Sequence, residues 1–318
     1  MDNRGRRGQT HQAMLIEIAL LVVGLALLVA GAQRAVTAAA DLALYYGVSK
    51  LFVGVTVISV GTSVPEMTTS LYAASYGAGD LVVGNIVGSE TAQITLAIGI
   101  VALVSPIVAE RRNVMIYGGA MVLSMIVMIL TLEDGELIRS EGFLMMLSYV
   151  FFVYTLYTNE GGVEVTEEVV DREPPGRSVP WIAAGLALVV VGGHLMVTNG
   201  VAVAERAGVS EYLIGLLTGL GTTLPEIVVA SVAARGGHQG ISVGSILGSN
   251  ITDPVFSLGI GPLFFDVAVS DTATVAASTT YMLAVSLAVL GLFYWRRGID
   301  RPAAVLCLAL YVPSVVAV

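Results

Sequence analysis

Residues 61–66 read GTSVPE and residues 221–226 read GTTLPE. Each hexapeptide lies in an apolar segment, so each sets a glutamate inside a hydrophobic run, and the two are offset by 160 residues. Outward from this pair, GNIVGS at 84–89 matches GSILGS at 244–249 at the same offset. Further out, GLALLVAGAQRAVTAAADLALYYGVSK at 24–50 aligns without a gap on GLALVVVGGHLMVTNGVAVAERAGVSE at 185–211, offset by 161, so one deletion separates the two registers. The 318-residue chain is thus built from two homologous halves.

Composition sets the environment. The chain is 56% hydrophobic and 12% charged, with a mean hydropathy of +0.85, against about 25% charged residues in a soluble domain. A water-soluble globule is excluded. A bilayer-crossing helix takes about 20 apolar residues, and hydrophobic runs near 14–33, 51–76, 81–106, 113–132 and 143–158 recur near 180–200, 211–234, 241–265, 273–295 and 302–318. Five spans per half is an odd number, so the second half enters from the opposite face. The expected fold is an all-α integral membrane protein of ten transmembrane helices in two inverted five-helix repeats, with discontinuous helices at the two motifs. The divisions follow: an N-terminal tail at 1–13, a first repeat at 14–158 with its motif at 61–93, an acidic linker at 159–179, and a second repeat at 180–318 with its motif at 221–253.

The remaining signals narrow the class. Net charge is −9 and Lys50 is the single lysine, so there is no basic surface for nucleic acid. Cys307, the one cysteine, has no intrachain disulfide partner. Arg4, Arg6 and Arg7 before an apolar run and an Ala30-Gly31-Ala32 triplet imitate a signal peptide, but the run is long and recurs inside the chain. Of the 15 basic residues, Arg34, Lys50, Arg111, Arg112, Arg172, Arg177, Arg235, Arg296, Arg297 and Arg301 fall in connections of one side. That side is expected to be cytoplasmic, with the 159–179 linker on it, both termini outside, and the protein in the plasma membrane. The linker reads as a solvated hinge, since it lacks calcium-loop spacing.

Ionisable side chains at membrane depth are costly and mark ion paths. Glu66 and Glu226 are such residues, and their equivalent placement is expected to bring them together. Pro65 and Pro225 lack the amide proton that would bond the carbonyls of Gly61 and Gly221. Thr62 and Ser63, and Thr222 and Thr223, lie four and three residues before each glutamate, on its face of the helix. Ser89 with Gln93, and Ser249 with Asp253, are each four apart and line one face. Gly84 with Gly88, and Gly244 with Gly248, are small-residue pairs that let helices approach. These candidate metal ligands are all oxygen donors, which favours hard cations such as calcium or sodium over zinc or copper.

These two motif blocks resemble the alpha repeats of the cation/calcium antiporter superfamily, most closely the prokaryotic type of the sodium/calcium exchanger family. The resemblance implies exchange of calcium for sodium by alternating access, with the first and sixth spans sliding across a bundle that holds the ions. It also implies Glu66 and Glu226 as main calcium ligands, with Thr62, Ser63, Thr222, Thr223, Ser89, Ser249 and Asp253 around them. A transporter of this kind is not an enzyme, needs no cofactor beyond the transported ions, and has the bilayer rather than an obligatory protein as its partner. A calcium/proton or potassium-dependent sodium/calcium antiporter of the same fold is the near alternative.

Two positions depart from the family pattern. The first half reads Gly-Ser-Glu-Thr-Ala-Gln at 88–93, where Gln93 can still coordinate through its amide oxygen and Glu90 is expected to be a headgroup-level surface charge, with an extra carboxylate altering selectivity or proton coupling as the alternative. Pro254 stands opposite Ile94, and is expected to kink its helix and free the carbonyl of Asn250 as a further ligand. Gly77-Ala78-Gly79-Asp80 spells an intramembrane aspartyl protease signature. Asp80 falls in a connection, however, and its counterpart is Gly240, so this reading is remote.

Overall fold

The computed structural model describes residues 3–159, 175–206, 221–270 and 272–316. The protein is mostly helical. Its first helix, α1 (Asn3–Tyr46), runs unbroken through the Ala30-Gly31-Ala32 triplet and well past residue 33. Gln33 and Arg34 look like a span end in the sequence, yet the helix continues because the Arg34 guanidinium stacks 3.7 Å from the centroid of the Trp181 ring. Residues 3–13, expected as a tail, belong to the same helix.

Ser49 caps the next helix, α2 (Lys50–Thr62), by accepting the Phe52 amide at 3.0 Å. Within it, Gly54–Ile58 forms a π turn. The chain then breaks at Ser63, and α3 (Val64–Ser75) restarts with its axis turned by 43°. Pro65 sits in the first turn of α3, where its missing amide proton is not needed. Gly77, at φ +68°, closes the turn into α4 (Gly79–Val104), and its counterpart Gly237, at φ +75°, closes the equivalent turn in the second half.

The remaining helices are α5 (Arg111–Thr131), α6 (Arg139–Asn159), α7 (Pro175–Arg206), α8 (Leu224–Arg235), α9 (Gln239–Thr252), α10 (Thr272–Arg296) and α11 (Arg301–Val316). Among the described residues, six helices are long and apolar enough to cross a bilayer, and α2 with α3 makes a seventh, bent candidate. The linker at 160–174 and the start of the run at 211–234 lie outside the described residues.

The expected kink at Pro254 takes a different form. Asp253–Ser257 is a π turn that follows α9, and Gln93–Ala97, which contains no proline, is a π turn at the equivalent place in α4. Pro254 is therefore not its cause. The Asn250 carbonyl accepts the hydroxyl of Ser124 of α5 at 3.1 Å, one of the two bonds that a carbonyl oxygen can accept.

Contacts between connections sort into two sets. Lys50 meets His238, Gln239 meets Ser105, Arg112 meets the Asn159 carbonyl, and β1 (Ile107–Val108) pairs antiparallel with β4 (Gly298–Ile299). In the other set Glu17 pairs with Arg206, Asp80 accepts from Ser270, and β2 (Glu136–Leu137) pairs with β3 (Val267–Ala268). Each half contributes one strand to each two-stranded pairing.

Helix packing without a hydrophobic drive relies on close backbone approach. A methyl group on Gly24 would meet the Gly192 carbonyl at 2.8 Å, and one on Gly31 would meet that of Gly185 at 2.5 Å. Thus α1 and α7 pack antiparallel through reciprocal glycines. Gly244 and Gly248 likewise lie against Leu51, Gly54 and Val55 of α2. Among the described residues nothing approaches Gly84 or Gly88.

Polarity is inverted relative to a soluble protein. Leu15, Leu130, Phe143 and Tyr154 are more than half exposed, whereas Ser59, Thr62, Ser89, Glu66 and Asp253 are fully or almost fully buried. Such an arrangement suits a lipid surround. A large core joins α4, α5, α9, α10 and α11. A smaller one lies under α1 and contains Ala32, Ala35, Ala38, Ala39, Ala40 and Ala43 with Ile58, Val229 and Ala233.

Candidate ion-binding centre

Glu66 and Glu226 stand in the first turns of α3 and α8, each directly after a helix restart. The N-terminal end of a helix presents free amides and a positive partial charge, which favours a carboxylate there. Both glutamates have zero exposure, as does Asp253, and the three interact electrostatically with one another. Among the described residues, no Arg, Lys or His acts on them.

Around the glutamates, Ser89 donates its hydroxyl to Glu66 Oε1 at 3.2 Å. Thr62 Oγ1 donates to the Ser59 carbonyl at 3.1 Å, lies 3.5 Å from Ser249 Oγ and sits beside Glu226. Ser63 sits beside Asp253. Thr222 is half-buried, and Thr223 is fully buried. Five buried oxygens are left without a hydrogen-bond partner: Glu66 Oε2, both carboxylate oxygens of Glu226, Ser63 Oγ and Thr223 Oγ1. Ser63 and Thr223 are repeat equivalents, so each half presents one unpaired hydroxyl and one glutamate with unpaired oxygen. Lone pairs buried with no donor suit a cation. Among the described residues no three acidic, imidazole or thiol groups close on each other as in a resident metal site; the oxygen set here mixes carboxylates with hydroxyls.

Gln93 and Asp253 join the two halves. Gln93 Nε2 donates to Ser89 Oγ at 3.0 Å and to Asp253 Oδ2 at 3.0 Å. Its amide oxygen accepts from Asn250 Nδ2 at 2.8 Å, and Asn250 is itself anchored to the Ile246 carbonyl at 3.0 Å. In this conformation Gln93 thus shows N–H rather than oxygen to the centre. Ser257 holds Asp253 Oδ1 at 2.7 Å. Ser257 has no place in the sequence expectations, and Asn250, expected there through its carbonyl, meets Gln93 through its side-chain amide. Ser257 lies four residues after Asp253, the same one-turn spacing that singled out Ser89 and Gln93.

Glu90 is a correction. It is fully buried, with neither carboxylate oxygen paired, and is not a surface charge. The helix around it is apolar on several faces, so its sequence carried no polar stripe to orient it. Asp80 is exposed and held by the backbone amide of Ser270 at 3.0 Å and by the Ser270 hydroxyl, which removes the protease reading.

Comparison with known proteins gives the family. The family described as sodium/calcium exchanger protein matches residues 16–158 and 177–318. The inner membrane protein YrbG of Escherichia coli is 34% identical over 245 residues, covering 74% of this chain and 75% of its own length. The sodium/calcium exchanger MaX1 of Methanosarcina acetivorans is 28% identical over 296 residues, covering 79% and 84%. The solved structure of the sodium-calcium exchanger NCX_Mj soaked with sodium superposes with a TM-score of 0.80 at 26% identity, over 96% of this chain and 99% of that one. With its two matched halves and its central carboxylates, this chain belongs to the sodium/calcium exchanger protein family, as a multi-pass membrane antiporter of the cation/calcium class.

Proposed function

We propose that the protein exchanges calcium for sodium by alternating access between two inverted five-helix halves, and that Glu66 and Glu226 are the central calcium ligands. The observation that carries this reading is the set of five unpaired, buried oxygens drawn from both halves. Two ionised glutamates balance the charge of one calcium ion. Thr62, Ser63, Thr222, Thr223, Ser89, Ser249 and Asp253 complete the calcium and sodium positions, and Gln93 joins them by turning its amide.

Reciprocal strand pairing and the antiparallel α1–α7 contact support an axis in the membrane plane. Ten spans are the reading that fits the two sets of connections. Ten of the fifteen basic residues fall on one set, which supports a cytoplasmic location for it and for the 159–179 linker, with the termini outside a plasma membrane. The divisions at 1–13, 14–158, 159–179 and 180–318 serve as the working boundaries of tail, repeats and linker.

Calcium uptake into proteoliposomes tests the reading, driven in parallel by an outward sodium gradient, a proton gradient, and sodium with potassium. Uptake with sodium alone, abolished in both Glu66→Gln and Glu226→Gln, is the expected result. Uptake driven only by protons, or normal uptake by either variant, overturns it.

A further inference from the structure

Glu90 is the least explained group in the protein. It has zero exposure, and among the described residues both of its carboxylate oxygens lack a partner and Asp253 is the one charged group that acts on it. The repeat explains how the two relate. Asn250 is the counterpart of Glu90, and Gln93 is the counterpart of Asp253. Across the halves Asn250 reaches Gln93 at 2.8 Å, amide hydrogen to amide oxygen. Its image is Glu90 facing Asp253, and there the donor has been replaced by a second acceptor. Both Asp253 oxygens are already engaged, Oδ1 by Ser257 and Oδ2 by Gln93, and neither contact brings a donor to Glu90. Two carboxylates facing each other in a dry interior repel strongly unless a cation or a proton lies with them.

We propose that Glu90 and Asp253 together hold one monovalent cation, sodium, in addition to those bound by the Glu66–Glu226 centre, so that this exchanger moves one more sodium per calcium than it would without Glu90. Hard carboxylate oxygen is the donor type sodium takes. The Asn250 Oδ1 atom, also buried and unpaired, is one turn from Asp253 and is available as a further neutral ligand. The proposal rests on the sodium/calcium exchange reading.

Coupling is measured at equilibrium, where rates drop out. With the membrane potential clamped at zero, the calcium accumulation ratio equals the sodium ratio raised to the number of sodium ions per calcium. Under a tenfold sodium gradient, losing one sodium therefore lowers calcium accumulation about tenfold. A merely structural substitution slows the approach but leaves the end point. Wild type, Glu90→Gln and Glu90→Asn, the last copying the residue at 250, are compared in proteoliposomes, with Glu66→Gln as the blank. The expected result is a drop of about tenfold in both Glu90 variants. An unchanged ratio in whichever variant folds overturns the proposal. So does a ratio that shifts only with an imposed pH gradient, since the counter-ion is then a proton. Failure of wild type to accumulate calcium on a sodium gradient instead overturns the exchange reading itself, and is distinguished by that control.

Discussion

At the scale of single residues, the centre is organised by what its oxygens lack. Glu226 is fully buried beside Asp253 and Thr62, so replacing it by glutamine removes a buried like charge while keeping the side chain's volume. Glu226→Gln is therefore expected to melt at or above the temperature of wild type in ion-free buffer. Its response to calcium is expected to vanish. A ligand at a hundred times its dissociation constant adds about 2.7 kcal/mol to the folded state, and wild type is expected to show the corresponding rise in melting temperature, read by intrinsic fluorescence or calorimetry. A calcium-dependent rise retained in Glu226→Gln contradicts the assignment. The glutamates were legible in the sequence because each stands in a short, rare hexapeptide that occurs twice. The burial of Glu90 and the orientation of Gln93 were not legible, for different reasons. Glu90 lies in a helix without a polar stripe, so no periodicity marks which way it faces, and the orientation of Gln93 is fixed by Asn250, a residue 157 positions away.

At the scale of elements, the positions of helices were readable from hydrophobic runs, but their internal irregularities were not. GVTVI, QITLA and DPVFS, the three π turns, share no residue pattern. Two of them begin at Gln93 and Asp253, where a widened turn re-aims the side chains toward the other half. The length of α1 was also hidden, since a stacking contact with Trp181 makes Arg34 compatible with an unbroken helix. The junction between α2 and the α8–α9 turn gives a pH-dependent element. Lys50 donates to Nδ1 of His238 at 3.1 Å. Partial burial first, and the Lys50 ammonium second, hold this imidazole below its ordinary value near 6.5. An unfolded or detached turn takes up the proton at a higher pH than the docked one, so the contact is at full strength above about pH 6.5 and weakens as pH falls below it. Amide hydrogen exchange across Lys50–Val53, corrected for intrinsic rates, is expected to quicken between pH 7.5 and pH 5.5. In His238→Gln it is expected to change little with pH, and an equal quickening there excludes the imidazole as the cause.

At the scale of the whole molecule, the two cores differ in texture, and that difference bears on how the centre opens. The large core interlocks Met121, Met125, Met128, Ile98 and Phe293, whose long side chains resist sliding. Beneath α1 the packing surface is dominated by six alanines. Small side chains leave shallow ridges, and α1 is joined to α7 by reciprocal glycine contacts that hold the two helices as one unit. In the alternating-access exchange proposed above, a pair so joined is expected to shear over the bundle, with the bundle as the fixed part. Ala39, fully buried in the alanine surface, is the place to interrupt this movement. Ala39→Leu adds a ridge that costs about 1–3 kcal/mol of packing strain and obstructs sliding without reaching the carboxylates. Calcium binding measured on the purified variant is expected to stay within about threefold of wild type, while sodium-driven calcium exchange in proteoliposomes falls by at least about tenfold, the effect of roughly 1.4 kcal/mol on a barrier. Leu25→Phe, on an exposed face of the same helix, serves as the control and is expected to alter neither. If Ala39→Leu exchanges calcium at the wild-type rate, the alanine surface is not the sliding plane, and the opening of the centre must be carried by the bent α2–α3 pair instead.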